Sequence, residues 1–205
     1  GDDAVAGWAI IGRILPVAFG TIFALSGAVG AILAQNYGAG LPERVRQTMR
    51  DALIFTLVYC VSVWALLALG SGVLVNLFGA EGEAADMIRL FCLLVAGTFL
   101  FNGALFVANA AFNNLGFAFY ATAFNWGRAT LGVIPFVWVG NHLGGAEGVL
   151  IGWGLGAVVF GVGAAIVAFR VIDKLPPAKP DTPRPSAPAS PSPFTSGKGA
   201  GAGLG

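Results

Sequence analysis

Two long charge-free stretches, joined by a short basic connection, constrain the fold of this chain more than any other feature. Residues 14–42 and 52–80 contain no Asp, Glu, Lys or Arg. A helix that crosses a bilayer needs about 20 apolar residues, so each stretch is long enough to span a membrane. The chain is 57% hydrophobic and 10% charged, whereas a typical soluble domain is about 25% charged. The sequence therefore predicts an all-α polytopic membrane protein.

Charge-free stretches also place the individual spans, and five are predicted. They cover approximately residues 8–34, 52–78, 88–111, 117–139 and 149–169. Together they form a predicted transmembrane helix bundle over residues 1–173. Beyond it, eight of the eleven prolines fall between Pro176 and Pro193, before a glycine-rich end. That composition buries too little apolar surface to fold, so residues 174–205 are predicted to be a disordered cytoplasmic tail.

The distribution of basic residues predicts how the bundle is oriented. The connection after span one carries Arg44, Arg46 and Arg50, and the segment after span five is also basic. Neither 79–86 nor 140–147 contains Lys or Arg. By the positive-inside rule, the carboxyl terminus is cytoplasmic and the amino end lies outside the plasma (inner) membrane. The only histidine, His142, is then expected in an exposed outer loop.

Polar residues inside the spans are the candidate functional residues. Arg128 is predicted near the middle of span four, where an arginine costs at least about 2.5–3.5 kcal/mol on insertion scales. It is expected either to line or gate a pathway, or to bond backbone carbonyls where Pro135 breaks the helix. Asn102, Asn109 and Asn125 are candidates for lining a substrate pathway or for interhelical hydrogen bonds.

The sequence lacks the residues that several classes of function require. One histidine excludes a zinc HExxH motif, and we find no nucleophile–base pair, cofactor motif or metal cluster. No basic stripe indicates nucleic-acid binding. Cys60 and Cys92 lie within apolar runs and are expected to be inert thiols. We therefore expect no enzyme, no cofactor and no metal site, and the lipid bilayer as the main partner.

The connection after span one resembles a known signature. Multidrug and toxic compound extrusion (MATE) transporters carry a Gly-Gln-Asn-x-Gly-Ala-Gly turn followed by arginines. Gln35, Asn36, Gly38 and Gly40 match this pattern, while Ala34 replaces its first glycine. Weaker similarities follow in the same order: the turn at 109–116, and an arginine and a proline in the next span.

The resemblance implies a two-half architecture. MATE transporters contain two six-helix halves, and the five spans are similar to the second through sixth helices of the carboxyl-terminal half. The amino-terminal half would then be missing from this chain.

The same resemblance implies a secondary active exporter of drug-like organic compounds, driven by sodium or proton entry. No carboxylate is predicted at mid-membrane, so the coupling ion is not assignable. Two alternatives stay open: a lipid-linked saccharide flippase of the same superfamily, and a non-transporting membrane scaffold subunit.

Overall fold

A computed structural model describes residues 2–176, which are almost entirely helical and contain no β-strand. This confirms the predicted all-α bundle. Six helices follow in chain order: α1 Asp2–Gly38, α2 Pro42–Leu77, α3 Gly82–Leu93, α4 Phe99–Asn114, α5 Ala118–Ala129 and α6 Ile134–Ile172. A short 3-10 turn, Val95–Thr98, links α3 to α4. Most of the predicted tail, residues 177–205, lies outside the described residues.

Helix α6 is a hairpin rather than a single rod. Gly144 and Gly145 have non-helical backbone angles, with φ of +55° at Gly145, and the chain reverses there. Residues 132, 136 and 140 then face residues 156, 152 and 148 across two antiparallel arms. Ala118–Ile172, an apolar stretch of 55 residues, is therefore long enough to cross a membrane twice. With the three other apolar helical stretches, Asp2–Gly38, Pro42–Leu77 and Val95–Asn114, the described helices have the length for five crossings.

The hairpin corrects the prediction of an exposed loop at 140–147. Glycines on both arms let the two backbones touch, so a two-residue turn is enough to reverse the chain. His142 consequently lies on the last helical turn of the first arm. It is exposed, and its Nδ1 lies 2.8 Å from the carbonyl oxygen of Trp138.

Span three, predicted as one helix over 88–111, is broken in the structure. Gly97 donates its N–H to Leu94 in a 3-10 turn, which leaves the carbonyl of Leu93 without its α-helical partner. The indole Nε1 of Trp64 donates to this carbonyl at 3.1 Å. A Cβ at Gly97 would lie 3.1 Å from the same ring. Broken backbone is tolerated at membrane depth when a side chain satisfies it, and Trp64 on α2 does so here.

Span four, predicted over 117–139, is also divided. Helix α5 ends at Ala129, and a new helix begins at Ile134 with Pro135 in its first turn. The predicted kink at Pro135 is therefore a complete break. Gly132 donates its N–H to the carbonyl of Gly127 at 2.8 Å where α5 ends, and Pro135 occupies the first turn of the next helix, where its missing N–H has no cost. By contrast, Pro16 lies inside α1, which continues through it.

The connection that resembles the MATE signature is a Schellman turn. Leu41 donates its N–H to the carbonyl of Asn36 at 3.0 Å, and Gly40 donates to that of Tyr37. Gly40 has φ of +67°, a conformation that favours glycine at this position. Pro42 then occupies the first turn of α2, where its missing N–H has no cost.

The antiparallel order gathers the connections at two ends of the bundle. One end, here the basic end, comprises residues 38–50, 112–118 and 170–176. Arg46 of α2 and Asp173 after α6 form an ion pair there. The opposite end holds the connections 78–82 and 140–148. The two segments predicted to be cytoplasmic from their arginines therefore lie at one end.

We expect the basic end to face the cytoplasm. In a variant lacking Cys60 and Cys92, a single cysteine at position 113 should react with an impermeant maleimide only from the cytoplasmic side. A cysteine at position 142 should react only from outside, because arginine-rich connections stay in the cytoplasm. The reverse pattern would contradict this orientation, and equal labelling of both positions from one side would contradict the odd number of crossings between them.

Candidate functional site

A polar pocket opens between α1, α4 and α5 towards the basic end; we call it the asparagine pocket. Its volume is about 500 Å³. The lining residues are Ser26, Gly27, Ala31, Phe106, Asn109, Ala110, Asn113, Asn114 and Asn125. None of them is charged. The pocket therefore offers hydrogen-bonding amides and one hydroxyl on an otherwise apolar surface.

Two of the sequence candidates meet in this pocket. Asn109 of α4 donates its Nδ2 to Oδ1 of Asn125 on α5 at 2.9 Å. Asn109 is only 8% exposed, and its Oδ1 has no hydrogen-bond partner among residues 2–176. A buried acceptor left unpaired costs about 1–3 kcal/mol. Asn109 therefore forms an interhelical hydrogen bond through its Nδ2, which is one of the two roles expected from the sequence. Its Oδ1 is an unused acceptor at the pocket.

Two further asparagines, from the predicted turn at 109–116, also line the pocket. Asn114 donates to the carbonyl of Ala110 at 2.8 Å and lies against α1 at Gly30. A Cβ at Gly30 would come within 2.6 Å of the Asn114 amide, so glycine makes room for it. Asn113 is exposed. Its position four residues after Asn109 places both on one helix face, a signal that was available in the sequence.

Arg128 lies apart from the asparagines, in the last turn of α5. Helix α5 begins at the basic end, so about ten residues at 1.5 Å each put Arg128 roughly 15 Å deep, near the middle of a ~30 Å hydrocarbon core. Its Nη2 donates to the carbonyl of Trp153 on α6 at 3.3 Å. Its guanidinium carbon lies 5.8 Å from the centre of the Trp153 ring, a cation–π distance.

The arginine therefore does bond a backbone carbonyl, but on a neighbouring helix rather than on its own broken one. Its Nε is buried and has no partner within the described part of the chain. The Trp153 ring also packs against Trp8 at 6.0 Å and Phe99 at 5.8 Å between ring centres. Trp153 thus contacts residues beside both helix breaks: Phe99, which follows the 3-10 turn, and Arg128, which precedes the end of α5.

The remaining sequence candidates take other positions. Asn102 is half-buried on α4, about two turns before Asn109, and does not line the asparagine pocket. In the family-like turn, Asn36 donates to Thr48 across the connection at 3.4 Å. Gln35 and Gly38 are exposed, and a Cβ at Gly38 would meet nothing within 4 Å. Asn36 and Gly40 thus help to form the turn, whereas the side chain of Gln35 lies exposed.

Metal ligands do not converge within residues 2–176, where no group of three or more His, Cys, Asp or Glu side chains comes together. Both cysteines are buried, and neither forms a disulfide. The helix packing is closest on α6, where Gly152 lies against the backbone of Phe136 and Gly156 against that of Gly132.

The fold is similar to that of solved membrane transporters. The Vibrio cholerae MATE transporter VcmN in its bent form superposes with a TM-score of 0.79, at 24% identity over 84% of this chain and 40% of that one. An inward-facing MATE family multidrug resistance transporter of the MOP superfamily superposes with a TM-score of 0.73 and 18% identity, over 82% of this chain and 39% of that one. At these identities the likeness shows the fold.

Two curated relatives resemble the sequence. A Shewanella oneidensis protein described as an FAD transporter is 24% identical over 88% of this chain and 40% of its own length. A Pseudomonas savastanoi 21 kDa protein in the iaaL 5′ region is 32% identical over 85% of this chain and 57% of its own length. The chain thus spans about half the length of these relatives.

The sequence profile of the MatE family matches residues 1–139, more than half of the chain. This match agrees with the transporter-like fold of residues 2–176 and with the turn at Gln35–Gly40. MatE proteins are membrane transporters rather than enzymes. The chain belongs to the MatE family.

Proposed function

We propose that this chain forms part of a secondary active exporter of organic compounds, driven by a sodium or proton gradient. The asparagine pocket is the observation that carries the proposal. It places the amides of Asn109 and Asn125 within the spans of a MatE-family bundle, where polar groups are costly and tend to mark a pathway, and those of Asn113 and Asn114 at its basic-end mouth. In this proposal Asn109 and Asn125 line part of the substrate pathway, and Arg128 lies beside it.

Uncharged lining suggests how the substrate is recognised. Asparagine amides both donate and accept hydrogen bonds, so they suit the polar groups of an amphipathic molecule without requiring a fixed charge. Drug-like compounds fit this description, whereas the FAD of the Shewanella relative's description bears a pyrophosphate, for which the uncharged pocket offers no cation. We therefore propose an amphipathic organic substrate, recognised by hydrogen bonds and by the Phe106 ring.

The rest of the pathway requires partners beyond the described helices. We propose that the chain corresponds to the carboxyl-terminal half of a MATE transporter in the inner (plasma) membrane, with its carboxyl terminus in the cytoplasm. An amino-terminal half would supply the opposite wall of a central cavity, and alternating access would arise from rocking between the halves. The coverage of 40% of VcmN supports a partner of this size.

The two alternatives make different predictions. A lipid-linked saccharide flippase needs a large basic cavity for its pyrophosphate, whereas no Lys or Arg lines the asparagine pocket. A membrane scaffold would show no gradient-dependent flux at all. Transport in proteoliposomes of the purified full-length transporter, with sodium and proton gradients imposed separately, distinguishes the three functions and identifies the coupling ion.

We expect Asn109→Leu and Asn125→Leu to reduce gradient-driven flux about three- to tenfold per folded molecule, since each removes a hydrogen-bonding group worth about 0.5–1.5 kcal/mol. Asn141→Leu is the matched control, because Asn141 is an exposed asparagine near the hairpin turn. Flux of ethidium or a flavin into everted vesicles measures the effect. Unchanged flux in both pocket variants would remove the asparagine pocket from the pathway.

A further inference from the structure

An apolar groove runs between the two arms of the α6 hairpin; we call it the hairpin groove. Its volume is about 540 Å³. Leu143 of the first arm and Ile151 and Leu155 of the second are among the residues that line it. Within the described chain, Glu147 is the only lining residue with a polar side chain. The hairpin groove is thus a hydrocarbon-lined surface that carries a single carboxylate.

The hairpin groove faces away from α1 and Arg128. Trp153 of the second arm contacts Trp8 of α1 and Arg128 of α5. Ile151 and Leu155 are each two residues from Trp153, so their side chains leave the helix about 160° away from that of Trp153. The groove therefore lies on the opposite side of the second arm from the proposed substrate pathway.

The side of the second arm that carries the groove continues into a row of large apolar residues. Leu155, Val159, Val162 and Ile166 follow one another at intervals of four, three and four residues, and all four are exposed. This spacing keeps them on one face of the helix. Contacts between membrane helices favour small residues, so a row of exposed branched side chains suits lipid chains. The hairpin groove is therefore continuous with a lipid-facing surface.

Glu147 differs from the rest of this surface because it is charged. It is exposed, and neither of the two ion pairs among residues 2–176 involves it. It follows the hairpin turn by two residues, at the end of the bundle opposite the basic end. From Glu147 to Leu155 the groove extends about 12 Å at 1.5 Å per residue, within the ~15 Å hydrocarbon depth of one leaflet. The carboxylate is thus placed at the level of the lipid headgroups, with the apolar groove below it.

We propose that the hairpin groove binds an aminophospholipid from the leaflet at this end of the bundle, with an acyl chain between the arms and the headgroup ammonium on the Glu147 carboxylate. A primary ammonium has three N–H donors, and its hydrogen bonds to a carboxylate are about twice as strong as neutral ones. A trimethylammonium headgroup carries the charge without a donor, and an anionic headgroup is repelled. The expected order of affinity is therefore phosphatidylethanolamine, phosphatidylcholine, phosphatidylglycerol. This site does not depend on the proposed function.

Photolabelling in proteoliposomes tests the lipid site. The full-length transporter is placed in vesicles of phosphatidylcholine and phosphatidylglycerol, with a trace of a phosphatidylethanolamine or a phosphatidylcholine probe that carries the same diazirine acyl chain. The α2 peptide with Leu66 and Leu69 is the internal reference, because both side chains are exposed in a charge-free stretch. Relative to this peptide, we expect the phosphatidylethanolamine probe to label the groove about two- to fivefold more than the phosphatidylcholine probe, which is the effect of an exposed ion pair.

Glu147→Gln should abolish this preference, because the amide keeps the shape of the carboxylate but not its charge. Glu83→Gln is the matched control. Glu83 is an exposed glutamate in the first turn of α3, at the same end of the bundle but outside the groove. We expect the Glu83 variant to label like the unmodified transporter.

The proposal fails if the two probes label the groove equally in the unmodified transporter. It fails equally if the preference persists in Glu147→Gln, since the carboxylate would then have no part in it. Labelling of the groove by neither probe would mean that another protein segment covers it, and this too would overturn the proposal.

A bulky substitution tests the position of the acyl chain without altering Glu147. Leu155→Trp narrows the inner end of the groove, so it should lower phosphatidylethanolamine labelling of Val139, on the first arm, severalfold. Val159→Trp lies one turn beyond the groove and should leave that labelling unchanged. Equal labelling in the two variants would overturn the placement of the acyl chain between the arms.

Discussion

Replacing Gly156 with alanine is expected to destabilise the bundle by at least about 2 kcal/mol, towards the upper end of what overpacking costs. Gly156 lies where the second arm of the α6 hairpin touches the break before the first arm, and an added methyl group would overlap the carbonyl of Gly132. A backbone carbonyl in a packed helix break has no rotamer through which to move aside. The arms would have to separate, and the packing of α6 against α4 and α5 would be lost with them.

Gly163→Ala is the matched control on the same helix. A Cβ there would lie 3.4 Å from the Phe124 ring, an ordinary contact, and alanine favours helix over glycine by about 0.8–1 kcal/mol. The measurement is the thermal loss of the monodisperse peak in detergent size-exclusion chromatography. We expect the control to unfold at or above the temperature of the unmodified protein. Equal stability of the two variants would show that Gly156 is not in backbone contact with the break at Gly132.

The number of spans and their order could be predicted because charge is excluded from the membrane. Charge-free stretches of about 20 residues leave little choice of structure at that depth. The breaks at Val95–Thr98 and after Ala129 could not be placed in the same way. They depend on tertiary contacts, such as the bond from Trp64 to the Leu93 carbonyl, that join residues distant in sequence. A hydropathy profile describes only local composition and does not report such contacts.

Less of the candidate site could be predicted. Asparagines within spans could be selected from the sequence as polar candidates, but their grouping depends on how α4 and α5 pack. Asn102 and Asn109 share a helix face in sequence, yet only Asn109 reaches the pocket, where it meets Asn125. One of the two alternatives for Arg128 placed its partner among the backbone carbonyls of its own broken helix. The partner is instead Trp153, which the hairpin turn brings alongside.

The surroundings of Arg128 determine what its replacement should do. No carboxylate forms an ion pair with it among residues 2–176, where the ion pairs are Arg46–Asp173 and Arg89–Asp86. The Trp153 carbonyl and ring stabilise its positive charge, while the buried Nε has no hydrogen-bond partner among these residues. A group satisfied only in part at mid-membrane suits a residue that exchanges partners during transport. A purely structural arginine would be expected to have its donors paired.

We expect Arg128→Ala to lower transport per folded molecule about 10- to 100-fold in the full-length transporter, since hydrogen bonds from a charged group are worth about 1.5–3 kcal/mol. Arg128→Lys should recover part of the activity. It keeps the positive charge but loses the planar set of donors, of which one bonds the Trp153 carbonyl and the buried Nε is free for another partner. Flux is measured in proteoliposomes and divided by the folded amount from size-exclusion chromatography.

Arg13→Ala is the control for removing a membrane-embedded arginine as such. Arg13 is exposed, lies near the end of α1 away from the basic end, and can extend to the interface. We expect its replacement to leave flux per folded molecule unchanged. If Arg128→Ala behaves like Arg13→Ala in flux and differs only in stability, Arg128 is a structural link between α5 and α6. If flux falls while the folded amount is maintained, the link between Arg128 and Trp153 takes part in the transport cycle.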